Sequence, residues 1–95
     1  LVERGYIILA RQLYVRTSAG LRITDFVVTG GPAGIDIAGF EVKVNESVRS
    51  PLQVLKDSLI HTGGGSVRSW NNPFFSHGST VQYQTYLMFV EMEGN

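Results

Sequence analysis

Two carboxylates and a lysine in the first half of the chain have the residue types and spacing that a divalent metal site beside a phosphate requires. Asp25 stands in one apolar run, and Glu41 and Lys43 stand two positions apart in the next. Carboxylate oxygens suit Mg²⁺ and similar hard cations, and a bound metal lowers the pKa of its water and stabilises charge on a phosphate oxygen. A lysine beside them can orient the attacking water or neutralise the developing charge. The pattern therefore indicates metal-dependent hydrolysis of a phosphate ester.

The elements that must position these groups are two predicted strands joined by a glycine-rich turn. Residues 21–29 and 35–44 are rich in β-branched and aromatic side chains, which favour strands. Alternation places Glu41 and Lys43 on one face of the later strand. It places Asp25 on an apolar face of the earlier one, with Leu21, Ile23 and Val27. The turn sets Asp25 opposite either Phe40 or Glu41. In the register opposite Glu41, facing Cβ atoms lie about 4.5–5.5 Å apart, and the like charges call for a cation between them.

An upstream strand and a downstream helix complete the predicted core. Residues 6–16 are β-prone and are expected to pair with the strand that follows. Ser50 predicts a helix N-cap, because Pro51 follows it and Gln53 can close a capping box; the helix is expected to end near His61. Its apolar side is expected in the core and consists of Leu52, Leu55, Leu59 and Ile60. Its polar side consists of Gln53, Lys56, Asp57 and His61.

The C-terminal third gives a weaker pattern. Residues 66–79 have no clear period and are predicted to form a loop, whose aromatic side chains Trp70, Phe74 and Phe75 are expected in the core. Base-stacking platforms and anchors for a protein partner are the alternatives for these rings. Residues 80–92 are β-prone throughout, and residues 86–90 predict a buried strand.

Composition limits the class of protein. The chain has 95 residues, 43% hydrophobic and 17% charged, which is typical of one folded domain. It has no cysteine, which excludes disulfides and thiolate metal sites, and its zero formal charge counts against coating nucleic acid by charge alone. No apolar run is long enough to span a bilayer, and the first residues do not have the pattern of a signal peptide. Because the sequence does not begin with Met, we expect it to be part of a longer chain.

The arrangement of acids and lysine resembles the PD-(D/E)XK nuclease superfamily, the restriction-endonuclease-like fold. In this resemblance Asp25 is the acid of the first half-motif, and Glu41 and Lys43 form the second; Thr24 stands where the family name has proline. The implied fold is α/β, with a mixed β-sheet core of hairpin strands, then a helix, then a C-terminal strand, and with flanking helices. Residues 1–95 would then be a single nuclease domain.

The resemblance also implies further site residues. Gln53 matches the glutamine that many members carry on the following helix, and Glu3 is the one upstream acid available as an additional metal ligand. The implied cofactor is Mg²⁺, with Mn²⁺ or Zn²⁺ as alternatives. Candidate contacts to nucleic acid are Lys56, Arg22 and Arg49.

Within the superfamily, residues 20–28, 39–43 and 51–57 are similar to the C-terminal nuclease domains of contact-dependent growth inhibition and related polymorphic toxins. That similarity implies a toxin that cleaves DNA or tRNA in the cytoplasm of a target bacterial cell. It also implies delivery as part of a larger secreted or cell-surface protein, and a cognate immunity protein that blocks the toxin. Two other interpretations remain open: an exposed salt-bridge cluster at the acids, and a non-catalytic α/β interaction module.

Overall fold

The computed structural model of the chain describes residues 4–31, 34–45 and 48–91. In these ranges it contains one helix and a six-stranded sheet. The elements in chain order are β1 (Tyr6–Thr17), β2 (Gly20–Gly30), β3 (Ile35–Val44), α1 (Pro51–Gly63), β4 (Gly65–Val67), β5 (Thr80–Val81) and β6 (Thr85–Val90). The predicted boundaries of β1, β2, β3 and α1 are confirmed to within two residues.

The sheet is mixed, with strand order β5-β4-β1-β2-β3-β6. The first three strands form an antiparallel meander, because each is joined to the next by a short turn. After β3 the chain crosses through α1, adds β4 and β5 beside β1, and returns to place β6 parallel to β3. The expectation of an α/β fold with hairpin strands, a helix and a C-terminal strand is therefore met. α1 is the one helix in the described ranges, so the resemblance's further flanking helix is not found within them.

The core lies between α1 and one face of the sheet. It is formed by Ala10, Leu13, Val15, Val27, Ile60, Val67, Val81 and Tyr83. Gly39 on β3 has no room for a larger side chain, because an added Cβ would lie 2.6 Å from Thr85 Oγ1 and 2.8 Å from Tyr83 Cε1. This glycine therefore lets the returning chain before β6 pack directly on β3.

The helix faces the sheet with a different side from the one that its leucines predict. Asp57 and Ile60 are buried, with 4% and 0% of their surface exposed, whereas Leu52 and Leu55 are 52% and 49% exposed. The prediction was right for Ile60 and wrong for Leu52, Leu55 and Asp57. The reason is Arg22, which lies beneath the helix and needs a charged partner, since an unpaired buried charge costs more than leucines left in water.

The C-terminal third also differs from expectation. β4 overlaps the first two residues of the stretch 66–79, which was predicted to be a loop. Residues 82–84, between β5 and β6, interrupt the run that was predicted to be β-prone throughout. β6 is an edge strand, and its Phe89 is 61% exposed, so the prediction of a buried strand was wrong. Trp70 and Phe74 are 72% and 60% exposed, while Phe75 packs against the core as expected. Within the described residues, no helix has the length and apolar character needed to cross a membrane.

Candidate active site

A cleft of about 410 Å³ opens between β2, β3 and the first turns of α1. Its walls bring together five of the residues predicted to act in the site, namely Arg22, Asp25, Glu41, Gln53 and Lys56. Lys43 stands beside the cleft on β3, with its Nζ 3.9 Å from Oε2 of Glu41. Glu3 lies outside the described residues. The structure thus places the acids of both half-motifs at one opening in the surface.

Asp25 occupies an irregular point of the sheet. The paired residues of β2 and β3 include Phe26 opposite Phe40, and continuing that register sets Asp25 opposite Glu41. At this point a side-chain oxygen replaces a backbone acceptor between the two strands. Oδ2 of Asp25 accepts a hydrogen bond of 2.9 Å from the backbone N–H of Val42. One oxygen of Asp25 therefore fixes the side chain, and Oδ1 accepts no hydrogen bond from the described residues.

The alternation of side chains along β2 changes across this point. Thr24 and Val27 are both completely buried on the side of α1, so the strand does not alternate regularly between them. The expectation that Leu21, Ile23, Asp25 and Val27 share one face was wrong, since Leu21 and Ile23 are 37% and 38% exposed. On the neighbouring strand β1, Gln12 has a positive φ of 52° and marks the same irregular level. This local distortion turns Asp25 into the cleft.

Glu41 is a buried carboxylate held by a guanidinium. It is 6% exposed, and its Oε2 accepts a hydrogen bond of 2.5 Å from Nη2 of Arg22. The more distant Nζ of Lys43 approaches the same oxygen. Glu41 Oε1 accepts no hydrogen bond from the described residues. The strand parity that predicted Glu41 and Lys43 on the same side is therefore consistent with the observed geometry.

Arg22 ties the cleft to the helix. Its Nε donates to Oδ1 of Asp57 at 2.8 Å, and its Nη1 donates to the backbone oxygen of Ile23 at 2.9 Å. Arg49 donates from Nη1 to Oδ2 of Asp57 at 2.8 Å, which completes a network of alternating charge. Burial alone would lower the pKa of Arg22, but the bonds to Asp57 and Glu41 outweigh burial and raise that pKa, so the guanidinium stays charged.

This network gives Arg22 and Arg49 partners inside the protein. Arg22 has only 5% of its side chain exposed, whereas Arg49 has 23%. The geometry therefore makes Arg22 the counter-charge of Glu41 and the anchor of α1. Contact of Arg22 or Arg49 with nucleic acid stays a prediction, and the partial exposure of Arg49 is compatible with it.

The helix contributes two polar side chains to the cleft. Ser50 and Gln53 form the predicted capping box, in which the backbone N–H of each donates to the side chain of the other, at 3.1 and 3.2 Å. This uses Oε1 of Gln53 and leaves its amide nitrogen without a hydrogen-bond partner among the described residues. Lys56 donates from Nζ to the backbone oxygen of Leu21 at 2.9 Å, at the rim of the cleft.

The two carboxylates each offer one oxygen to a metal ion, which would have to complete its shell from elsewhere. The described residues contain no group of three or more His, Cys, Asp and Glu side chains able to hold a metal. Mg²⁺ does not need one, since it is commonly bound through one or two carboxylates together with water and substrate phosphates. Oδ1 of Asp25 and Oε1 of Glu41 are the oxygens with no partner among the described residues, and are therefore the atoms that would hold it.

Similarity to known proteins does not identify the chain. It matches no protein-family model, and comparisons with curated proteins and with solved structures find no match. The geometry of the cleft is therefore the basis for assigning a function.

Sequence patterns missed Asp57 and Tyr83. Asp57 was assigned to the solvated side of the helix, although it is the residue that pairs Arg22. Tyr83 lies between two strands, and its Oη is 2.8 Å from Oγ1 of Thr24 in the core beside the cleft. The available signal was Arg22, a charged residue on the strand face that the helix covers. A buried charge needs an opposite charge nearby, and the helix supplies it with Asp57.

Tyr83 gives the domain a testable weakness at high pH. Burial raises the pKa of Tyr83 to about 12, against the smaller opposing effect of the Thr24 hydrogen bond. Unfolded tyrosine titrates near pH 10, so above that pH the unfolded chain loses a proton that the folded chain retains. We expect the free energy of unfolding to fall as the pH rises from about 10 to about 12, by roughly 2–3 kcal/mol in all.

Urea denaturation at a series of pH values measures this loss. Tyr83→Phe is the matched variant, because it keeps the ring and removes the ionising group. It is expected to be less stable at neutral pH but to lack this part of the alkaline loss. A Tyr83→Phe curve that falls as steeply as the wild-type curve would assign the alkaline loss to other groups.

Proposed function

We propose that the chain is a metal-dependent endonuclease domain that hydrolyses phosphodiester bonds in DNA or tRNA. The observation that carries this proposal is the convergence of Asp25, Glu41, Gln53 and Lys56 on one cleft, with Lys43 beside Glu41. Two carboxylates, each with one oxygen free of hydrogen bonds from the described residues, and the ammonium groups of Lys43 and Lys56 are the groups that phosphoryl transfer needs. The carboxylates bind a cation, and the amines offset charge on the phosphate.

Each side chain has a role that follows from its contacts. Asp25, fixed by the N–H of Val42, and Glu41, fixed by Arg22, would hold the metal through their remaining oxygens. The bound metal would supply Lewis-acid stabilisation and an activated water. Lys43 lies beside Glu41, where its ammonium can orient that water and stabilise charge as the phosphorane develops.

The helix completes the substrate side of the cleft. Lys56 donates one of its three ammonium N–H groups to Leu21 O at the rim, so another of them can bind a phosphate oxygen. Gln53 presents its unused amide N–H₂ to the same cleft. Arg22 stays paired with Glu41 and Asp57 and keeps the buried carboxylate in place.

The architecture supports a restriction-endonuclease-like core for this domain. A three-stranded meander is followed by a helix and then by a strand parallel to the third, with the acids at the junction of the second and third strands. The proposal includes the biological setting that the toxin resemblance implies. The domain would be delivered by a larger secreted or cell-surface protein, would act in the cytoplasm of a target bacterium and would be neutralised by a cognate immunity protein.

One feature favours a second function, a non-catalytic α/β interaction module. α1 leaves three large apolar side chains, Leu52, Val54 and Leu55, between 44% and 52% exposed, and exposed apolar patches mark interaction sites. An interaction module needs no metal at Asp25 and Glu41. Calorimetric titration of the domain with Mg²⁺, Mn²⁺ or Zn²⁺ separates the two functions, because binding that disappears in Glu41→Gln supports the nuclease.

Incubation of the purified domain with plasmid DNA and with total tRNA tests the nuclease directly. We expect nicking or cleavage of at least one substrate with Mg²⁺, Mn²⁺ or Zn²⁺ and none with EDTA, because the cleft amines alone do not activate water. Return of activity when metal is added in excess of EDTA is the control that EDTA acts by removing the metal. Cleavage that continues in EDTA, or no cleavage with any of the metals, would contradict the proposal.

A further inference from the structure

A second groove lies on the face of the sheet that is turned away from α1. It has a volume of about 430 Å³ and is formed by Arg11, Gln12 and Tyr14 of β1 and by residues 68–73 after β4. Leu13 and Val15 of β1 point into the core under α1, so the intervening Tyr14 points to the opposite face. The groove is therefore distinct from the cleft that holds Asp25 and Glu41, and its size is within the range of small-ligand sites.

The wall of this groove combines cations with exposed aromatic rings. Arg11 and Arg68 line it, and none of its lining residues in the described part of the chain is acidic. The guanidinium of Arg68 makes no ion pair with the described residues, and that of Arg11 lies 5.4 Å from the ring centre of Phe26. Trp70 and Tyr14 are 72% and 39% exposed. Positive charge beside open aromatic faces is the combination that proteins use for nucleotides of single strands.

The groove is built by specific hydrogen bonds. The backbone N–H of Tyr14 donates to Oγ of Ser69 at 2.9 Å, and the N–H of Arg68 donates to the backbone oxygen of Tyr14 at 2.7 Å. Asn72 donates to the backbone oxygen of Leu9 at 3.3 Å, and its side-chain oxygen accepts the N–H groups of the next turn at 2.8 and 2.9 Å. These bonds hold the segment that carries Trp70 against β1.

Trp70 is positioned as a platform with one open side. One face of its ring stacks on His77, with ring centres 3.5 Å apart and planes 7° from parallel. The stack restrains the indole, which reduces the conformational entropy that a ligand must remove on binding. Such a restrained and exposed ring is suited to stacking with a nucleobase.

The geometry points to a binding site for an unpaired nucleotide, with its base stacked on the open face of Trp70 and its phosphates bound by Arg11 and Arg68. This inference rests on the proposed action on nucleic acid and names the form of substrate that the domain engages, a single-stranded or looped segment. Guanidinium groups suit this role because their planar donors bind phosphate oxygens in pairs. The site holds substrate and takes no part in breaking the phosphodiester bond.

Binding of a labelled single-stranded oligonucleotide, followed by fluorescence anisotropy in EDTA, tests this inference without cleavage. Trp70→Ala and Arg68→Ala are each expected to weaken binding roughly tenfold, because stacking and a phosphate contact are lost. Trp70→Phe is expected to restore much of the affinity. Because Trp70 is the one tryptophan in the chain, the same oligonucleotide is expected to change the intrinsic fluorescence of the unmodified protein.

Arg16→Ala is the matched control, since Arg16 is exposed on β1, lies outside the groove and carries the same charge. It is expected to stay within about twofold of wild type, as is usual for a surface change away from a contact. Equal weakening by Arg16→Ala and Arg68→Ala would overturn the inference in favour of general charge attraction. Unlabelled duplex that competes as well as the single strand would overturn it too.

The outcomes also separate this inference from the proposed function. If cleavage depends on metal but oligonucleotide binding is unchanged in Trp70→Ala, the nucleotide site in the groove is overturned and the proposed nuclease activity stands. Binding that depends on Trp70 and Arg68 in a domain that cleaves nothing leaves the groove in place and overturns the nuclease.

Discussion

Asp25→Asn is expected to reduce metal-dependent cleavage by at least about a hundredfold, while the domain remains folded. The substitution keeps the size of the side chain and an oxygen that can accept the Val42 N–H, so the local break in the β2–β3 ladder is preserved. It removes the negative charge and half of the acidic ligand set in the cleft. Cleavage rates at saturating Mg²⁺, with circular dichroism of both proteins, measure the two parts of this expectation.

Asp36→Asn is the matched control for Asp25→Asn. Asp36 lies on β3, is exposed and does not line the cleft, so the same chemical change there is expected to leave cleavage near the wild-type rate. Equal activity of Asp25→Asn and wild type would remove Asp25 from the site. A parallel titration with Mg²⁺ is expected to show weaker binding in Asp25→Asn only, which distinguishes a lost ligand from a lost base.

Asp57→Ala is expected to destabilise the domain by about 3–5 kcal/mol, the largest effect on stability anticipated here. Asp57 is 4% exposed and accepts hydrogen bonds from both Arg22 and Arg49. Its removal leaves Arg22 buried with Glu41 as its remaining carboxylate, and leaves Arg49 without an ion pair among the described residues. Since small domains have total stabilities of about 5–15 kcal/mol, a large fraction of the stability is lost.

Urea denaturation of two further variants shows whether charge or packing causes this loss. Asp57→Asn is expected to be intermediate, because it keeps the size of the side chain and one of the two acceptor oxygens while it loses the charge and the other acceptor. Leu55→Ala lies on the exposed side of the same helix and is expected to cost less than about 1 kcal/mol. A Leu55→Ala variant as unstable as Asp57→Ala would mean that α1 packs through its leucines after all.

Local patterns in the sequence predicted most of the elements. β1, β2 and β3 follow from β-branched runs separated by glycine turns, and the Ser50 capping box predicted the start of α1. These features depend on residues that are close together in the sequence, so local patterns are enough to predict them. β6 was predicted as a strand but not as an exposed edge, because edge position depends on where the other strands pair.

The side of the helix that is buried could not be predicted by hydrophobicity. The leucine stripe suggested one face, yet the ion pair between Arg22 and Asp57 turns the helix so that Asp57 and Ile60 face the sheet. Leu52 and Leu55 are left about half exposed. Arg22 and Asp57 are far apart in sequence, so the pairing that decides the orientation is a tertiary contact. A buried ion pair can override an apolar stripe of a few leucines, because breaking the pair costs several kcal/mol.

The candidate site was predicted in part. Turn position limited the partner of Asp25 to Phe40 or Glu41, and the observed register sets it opposite Glu41. Strand parity gave the placement of Lys43 beside Glu41. Periodicity could not reveal that β2 changes its alternation between Thr24 and Val27, since such a distortion is a property of the paired strands. It also gave no sign that Arg22, two strand positions from Thr24, would neutralise Glu41.

The placement of the two openings on opposite faces of one sheet limits the shape of any polynucleotide that touches both. The path from the Trp70 groove to the acids of β2 and β3 must turn around the sheet within a distance comparable to the thickness of a small domain. Duplex DNA is stiff over about 50 nm and resists so tight a turn. A single strand or the loop of a folded RNA can bend at each phosphodiester. The stiffness of the polynucleotide would therefore select single-stranded or looped substrates over duplex for contact with both openings.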